Sequence, residues 1–172
     1  RRDMGLLSQS ASLFYGTIRD NITLGAPLAS DQDILKALTM TGAIEFIQRL
    51  PTGLDHVLTE GGKGLSGGQR QAVSLLMSTL APSRILLLDE HTAALDPKTA
   101  SFVLDLTTQI IEEQKLTALM VTHSMKQALE VGDRTVMLHQ GQVVFDIAGQ
   151  DREGLEVKDL LELFEKQRGL EV

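Results

Sequence analysis

The sequence predicts an α/β protein built on a largely parallel sheet. Three observations predict it. Ile85-Leu86-Leu87-Leu88 is an unbroken apolar run without polar alternation, the pattern of a strand covered on both faces. Leu116 to Val121 is a second apolar strand. Between them, Asp96-Pro97 offers an N-cap followed by proline at the first helical position, and the helix is expected to run to about Lys115. Strand, helix and strand in this order place parallel strands side by side.

The other elements follow along the chain. Met4-Gly5-Leu6-Leu7 reads as a strand over residues 4–8, followed by a loop around Gln9 to Ser12. A domain seldom opens so bluntly, so residues 1–172 are expected to be the downstream part of a larger one. Ser30-Asp31-Gln32-Asp33 is a helix start. Ile34, Leu35, Leu38, Ile44, Phe46, Ile47 and Leu50 then recur at mixed helical spacing, interrupted near Gly42, until Pro51-Thr52-Gly53 ends the stretch. Gly61 to Gly64 is a flexible loop. Ser66 to Leu80 reads as a helix with Ala72, Leu75, Leu76, Thr79 and Leu80 on one face. Ser124-Met125-Lys126-Gln127 fits a capping box. Thr135–Leu138 and Val143–Phe145 flank Gln140-Gly141 as a hairpin. An amphipathic helix from about Val157 to Arg168 closes the chain.

Length and composition bound the function. The 172 residues are 42% hydrophobic and 23% charged, which is ordinary for one globular domain. The net charge of −7 argues against nucleic acid as a partner, because phosphate neutralisation needs a basic face. It does not argue against a nucleotide, which a few backbone amides and one metal ion can hold. No apolar run approaches the roughly 20 residues that span a bilayer, and Arg1-Arg2-Asp3 is not followed by a signal-peptide core. Without cysteine, disulfides are excluded.

In open α/β sheets ligands gather beyond the carboxyl ends of the strands. That rule marks Asp89-Glu90 and His123. An acid pushed out of a buried strand can hold Mg²⁺ through water, and a second acid beside it can polarise an attacking water. Strand ends also carry acids simply because they meet solvent, and the pair alone leaves both readings open. In Leu65-Ser66-Gly67-Gly68-Gln69 the glycines allow close backbone approach to a ligand, and the helix start suits a phosphate. Ser66-x-x-Gln69 is equally a capping box. A lone histidine such as His123 is more often solvated than functional, and Gln9 on its own reads as surface. His56, His91 and His139 lack ligand-like spacing. No nucleophile elbow is visible, and no Gly-x-x-x-x-Gly-Lys-[Ser/Thr] occurs anywhere.

Taken together, these elements resemble the ABC ATPase family, in family order over nearly the whole chain. Leu65-Ser66-Gly67-Gly68-Gln69 is similar to its signature. Ile85 to Glu90 resembles its Walker B strand with the catalytic glutamate, and Ala93-Ala94-Leu95-Asp96 its D-loop. His123 resembles the switch histidine and Gln9 the Q-loop glutamine. Thr59-Glu60-Gly61-Gly62 is similar to a short coupling loop of exporters. Residues 1–73, with Leu13 to Ile22, look like exporter cassettes of the type I secretion group. Residues 74–172, with Asp89 to Thr99, look like stand-alone subunits of uptake-type systems. His91 departs from the proline common after the glutamate. Transport direction stays open.

The resemblance implies a P-loop NTPase-like fold with the P-loop-bearing part absent. Residues of about 10–80 would form a helical signature subdomain, and about 81–172 part of a RecA-like core with a C-terminal helix. It implies ATP and Mg²⁺ as cofactors, with Glu90 and His123 catalytic. Gln9, Ser66, Gly67, Gly68, Gln69, Asp89 and Asp96 would meet nucleotide, and Asp89 and Gln9 would hold Mg²⁺ via water. The implied partners are a second nucleotide-binding domain, as a homo- or heterodimer, and transmembrane subunits at the cytoplasmic face of the cell membrane. Because the P-loop grips the phosphates, the 172 residues alone are expected to bind ATP poorly and not to turn it over. The alternative is a degenerate cassette that only lends its signature to a partner's site. A DNA-repair or translation ATPase would need coiled-coil or second-cassette insertions, which the sequence lacks.

Overall fold

The computed structural model describes residues 4–10, 12–80 and 83–169, with side chains up to Glu165. Ala11 of the expected loop, and Ala81-Pro82 at the expected subdomain boundary, lie outside the described residues. The chain divides into two compact units, one up to Val121 and one from Thr122 onward.

In the first unit, β1 (Met4–Leu7) is followed by the two-residue strand β2 (Gly16–Thr17) and helix α1 (Ile18–Ile22). The apolar stretch beyond Ser30 forms two helices, α2 (Asp31–Met40) and α3 (Ala43–Gln48). They part at Gly42, whose φ of 61° is the left-handed conformation that glycine adopts without penalty. β3 (Val57–Leu58) pairs antiparallel with β2. The long helices α4 (Gly67–Leu80) and α5 (Pro97–Gln114) flank β4 (Ile85–Asp89), and β5 (Thr117–Val121) ends the unit. β1, β4 and β5 form a parallel sheet in that order, with Leu7 beside Leu88 and Asp89 beside Val121.

α4 lies between two cores. Val73 and Leu76 join Leu13, Ile18, Ile22, Ile34, Leu38 and Ile47 under the short helices. Ala72 and Leu75 join Leu7, Leu86, Leu88, Leu106 and Ile110 over the sheet. The single apolar face expected of this helix is therefore two faces.

The two-sided cover expected for Ile85–Leu88 is not found. Leu86 and Leu88 are buried under α4 and α5, whereas Ile85 is 36% exposed. Met4, Leu6, Leu119 and Val121 are exposed as well, and the strand register and pleat put them on Ile85's side of the sheet. Among the described residues of the first unit that side has no helical layer, so burial along β4 alternates.

The second unit contains α6 (Met125–Glu130), β6 (Arg134–His139), β7 (Gln142–Ala148) and α7 (Val157–Gly169). β6 and β7 form the expected hairpin, and Gln140 and Gly141 both take positive φ, as its two-residue turn requires. Only half of the expected capping box forms at α6. Ser124 Oγ accepts from the Gln127 N–H at 3.3 Å. The Gln127 carboxamide oxygen accepts from the Thr122 hydroxyl at 2.9 Å, and the Ser124 N–H donates to that hydroxyl oxygen at 3.0 Å. Thr122 takes over the reciprocal arm.

Candidate functional site

Parallel pairing brings the carboxyl ends of β1, β4 and β5 to one edge of the sheet. Gln9 lies two residues beyond β1 and is exposed. Asp89 is the last residue of β4 and is exposed, and Glu90 follows half-buried. Glu90 has φ 45°, a left-handed conformation uncommon for a residue with a side chain. Its backbone is held on both sides: its N–H donates to Val121 O at 2.9 Å, and its carbonyl accepts from the Ala93 N–H at 2.9 Å. The turn after β4 is thereby tied to β5, and the glutamate is presented by a fixed backbone.

The residue after it is anchored in a second way. His91 is 1% exposed, and its Nε2 lies 3.2 Å from Thr107 Oγ1 on α5. The Thr107 hydroxyl donates its one proton to Val103 O at 2.7 Å. It can therefore only accept from His91, which fixes the imidazole proton on Nε2. Burial lowers the His91 pKa to about 4, so the ring is neutral near pH 7.

Ser66 is exposed and caps α4. Its Oγ accepts from the Gln69 N–H at 3.2 Å, and the Gln69 carboxamide oxygen accepts from the Ser66 N–H at 2.8 Å. The capping reading of Ser66-x-x-Gln69 is therefore realised, which ties up the Gln69 oxygen locally. A β-carbon on Gly67 would stand 2.9 Å from Leu95 Cδ2, and one on Gly68 would overlap the Thr99 γ-methyl. Within this chain, the bare Cα atoms make room for the start of α5. Gly67 is half-buried and Gly68 buried.

Asp96 caps α5, accepting from the Thr99 N–H at 3.1 Å. Hydrogen bonds from the Thr99 side chain and then its backbone hold the Asp96 carboxyl below the usual carboxylate range. Gln9, Asp89, Glu90, Ser66–Gln69 and Asp96 all belong to the first unit. His123 belongs to the second, exposed just ahead of α6.

A family model described as ABC transporter matches residues 1–93. The chain belongs to the ABC transporter family. Among curated relatives, it is 45% identical over 151 residues to a tyrosine transport ATP-binding protein of Clostridioides difficile, covering 87% of this chain and 60% of that protein. It is 39% identical over 145 residues to an ATP-dependent lipid A-core flippase of Nitrosococcus oceani, covering 84% of this chain and 24% of the flippase. A solved bacterial Atm1-family ABC exporter with ATP bound superposes with a TM-score of 0.78 at 30% identity, over 97% of this chain and 28% of the exporter. The ABC chain thus spans about three fifths or less of the length of these relatives. The parallel α/β fold expected from the sequence matches this ABC ATPase neighbour. No helix among the described residues is long and apolar enough to cross a membrane.

Sequence reasoning missed three contributors to the site's framework. Gln71 donates from α4 to the carbonyls of Ser8 and Gln9. Thr107 receives His91, and Thr99 receives Gly68. Thr99 and Thr107 are polar residues on the α5 face that carries Val103, Leu106 and Ile110, which is the signal that would have singled them out, whereas Gln71 shares its side of α4 with Ser74 and Ser78 and gives no such signal.

Proposed function

We propose that this ABC chain is part of an ATP-binding and ATP-hydrolysing subunit that energises transport across a membrane. The observation that carries the reading is the strand edge, where Asp89 and Glu90 leave the middle strand beside the end of the strand leading to Gln9. The exporter neighbour with ATP bound supports the choice of nucleotide.

In this reading Glu90 orients or deprotonates the attacking water, a role worth ~10²–10⁴ in rate. His123 assists at the terminal phosphate. Ser66, Gly67, Gly68 and Gln69, on the start of α4, face the nucleotide held by a second cassette, with Asp96 at the seam. The Asp89 carboxylate and the Gln9 carboxamide oxygen, at and beyond the ends of paired strands, are hard donors in small number, which suits an ion that keeps much of its water, so they would hold Mg²⁺. When bound, Mg²⁺ supplies charge neutralisation on the phosphates. The partners are that second cassette and transmembrane subunits, which place the chain at the cytoplasmic face of the membrane.

Since the sequence contains no Gly-x-x-x-x-Gly-Lys-[Ser/Thr], the 172 residues alone lack the lysine and amide nest that grip the phosphates. Losing several charge-assisted hydrogen bonds of ~1.5–3 kcal/mol each removes useful affinity. The purified chain is expected to show no magnesium-dependent ATP hydrolysis. Turnover that disappears on Glu90→Gln would refute that expectation. The same missing motif favours a second reading, in which the chain only lends Ser66, Gly67 and Gly68 to a partner's site. That reading predicts that Glu90→Gln is silent in the assembled transporter while Ser66 and glycine substitutions are not.

A further inference from the structure

Gln71 ties the start of α4 to the Gln9 loop. Its side-chain Nε2 donates to Gln9 O at 2.8 Å and to Ser8 O at 3.3 Å, across more than sixty residues of sequence. Two helical turns further on, Ser78 Oγ bonds Leu6 O at 3.0 Å. Gly5 lies so close to α4 that a β-carbon there would stand 2.6 Å from Ser78 O. α4 is therefore stitched along β1, and its N-terminal stitch falls on the Gln9 loop.

The energetics of that stitch are unusual for a core contact. Gln71 is 3% exposed, and its Oε1 finds no partner among the described residues. A buried, unpaired acceptor works against stability. The carbonyls at the other end belong to half-buried Ser8 and exposed Gln9, so water can take them if Gln71 lets go. An apolar residue in place of Gln71 thus removes a buried liability and strands nothing in the core.

We propose that Gln71 is a positioning residue that makes the Ser66–Gly68 helix start and the Gln9 loop move as one body. This rests on the reading of Ser66 and Gln9 as parts of nucleotide sites. Under that reading Gln9 serves its own chain's site and Ser66 the partner's, so Gln71 links the two sites through 2.8 Å of hydrogen bond rather than through the nucleotide.

The test is ¹⁵N relaxation on the nucleotide-free 172-residue chain, with Gln71→Met and Gln71→Glu, either of which removes both donors. The amides of Gln9 and Ser10 are expected near the rigid order parameter of about 0.85 in the unaltered chain and below about 0.6 in both variants, with the amides of β4 unchanged. Ser66→Ala is expected to shift the Gln9 and Ser10 resonances when Gln71 is present and to leave them in place in the Gln71→Met background. Unchanged order parameters, or a Ser66→Ala response that persists without Gln71, would overturn the proposal. So would unfolding of both variants, because it would make Gln71 an ordinary core residue. With no nucleotide in the experiment, a negative result leaves the ATP reading standing, and failure of the ATP reading leaves this link standing.

Discussion

Gly68 on α4 lies so close to Thr99 on α5 that a β-carbon on the glycine would overlap the threonine γ-methyl. The signature-like helix start and the first turn of α5 meet there through bare Cα. Gly68→Ala is therefore expected to cost about 1–3 kcal/mol of overpacking, against an alanine helix preference of at most ~1 kcal/mol. Thr99→Ser, which deletes only the γ-methyl, should recover most of that loss. Urea unfolding of the four corners of this cycle measures it. Strict additivity would mean the two residues do not press on one another.

His91 predicts a pH dependence with a defined sign. In the folded chain its pKa is lowered from 6.5 to about 4, chiefly by burial. Between those values the unfolded chain binds more protons, so stability present above pH 6.5 is lost progressively as the pH falls toward 4. At about 1.36 kcal/mol per pH unit the loss reaches roughly 2–4 kcal/mol. His91→Gln keeps a donor for Thr107 and removes the titration. Its melting temperature should fall less than that of the unaltered chain between pH 7 and about 4.5. Parallel melting curves would rule out His91 as the source.

Ser66 caps a helix and, in the proposed function, meets phosphate; two substitutions separate the roles. Ser66→Ala should lower stability by ~0.5–2 kcal/mol through loss of the cap. Ser66→Asp keeps a good cap and should unfold at nearly the urea concentration of the unaltered chain. Its negative charge should nonetheless abolish ATP-dependent cassette pairing in the assembled transporter, measured by cross-linking. Normal pairing with aspartate in place would remove Ser66 from the nucleotide site.

In the second unit, Arg152 holds the C-terminal end of α6. Its guanidinium donates to the carbonyls of Leu129 at 2.6 Å, Val131 at 2.9 Å and Ala128 at 3.2 Å, and to Thr135 Oγ1 at 3.0 Å. A cation at a helix C-terminus also suits the dipole. Arg152→Ala should destabilise α6 by about 1.5–3 kcal/mol, the range for hydrogen bonds to a charged group. Hydrogen exchange should then accelerate at α6 amides while α5 stays protected. Equal acceleration in both helices would show a global rather than a local effect.

Much of the fold was legible because local signals agreed. Asp96-Pro97, Ser66-x-x-Gln69 and Gln140-Gly141 each specify a cap or turn from neighbouring residues alone, and each forms as read. What depends on non-local packing was not legible. The run Ile85–Leu88 looks buried on both sides, yet whether a layer covers its second face is not written in those four residues. The second face of α4 was hidden for a similar reason, since Val73 packs against helices far away in sequence. At the candidate site, motif order supplied the candidate residues. The devices that hold them, Gln71 under Gln9 and Thr107 beside His91, emerge only when distant segments meet.

In the proposed function the acid-tipped strand end performs ATP hydrolysis once the phosphate grip is supplied. The most direct test is magnesium-dependent ATP hydrolysis by the transporter reassembled from the full cassette-bearing polypeptide and its membrane partners, with and without Glu90→Gln. Glu90→Gln is expected to lower the rate by ~10²-fold or more while ATP still binds. An unchanged rate would contradict it and leave the chain as a binding module.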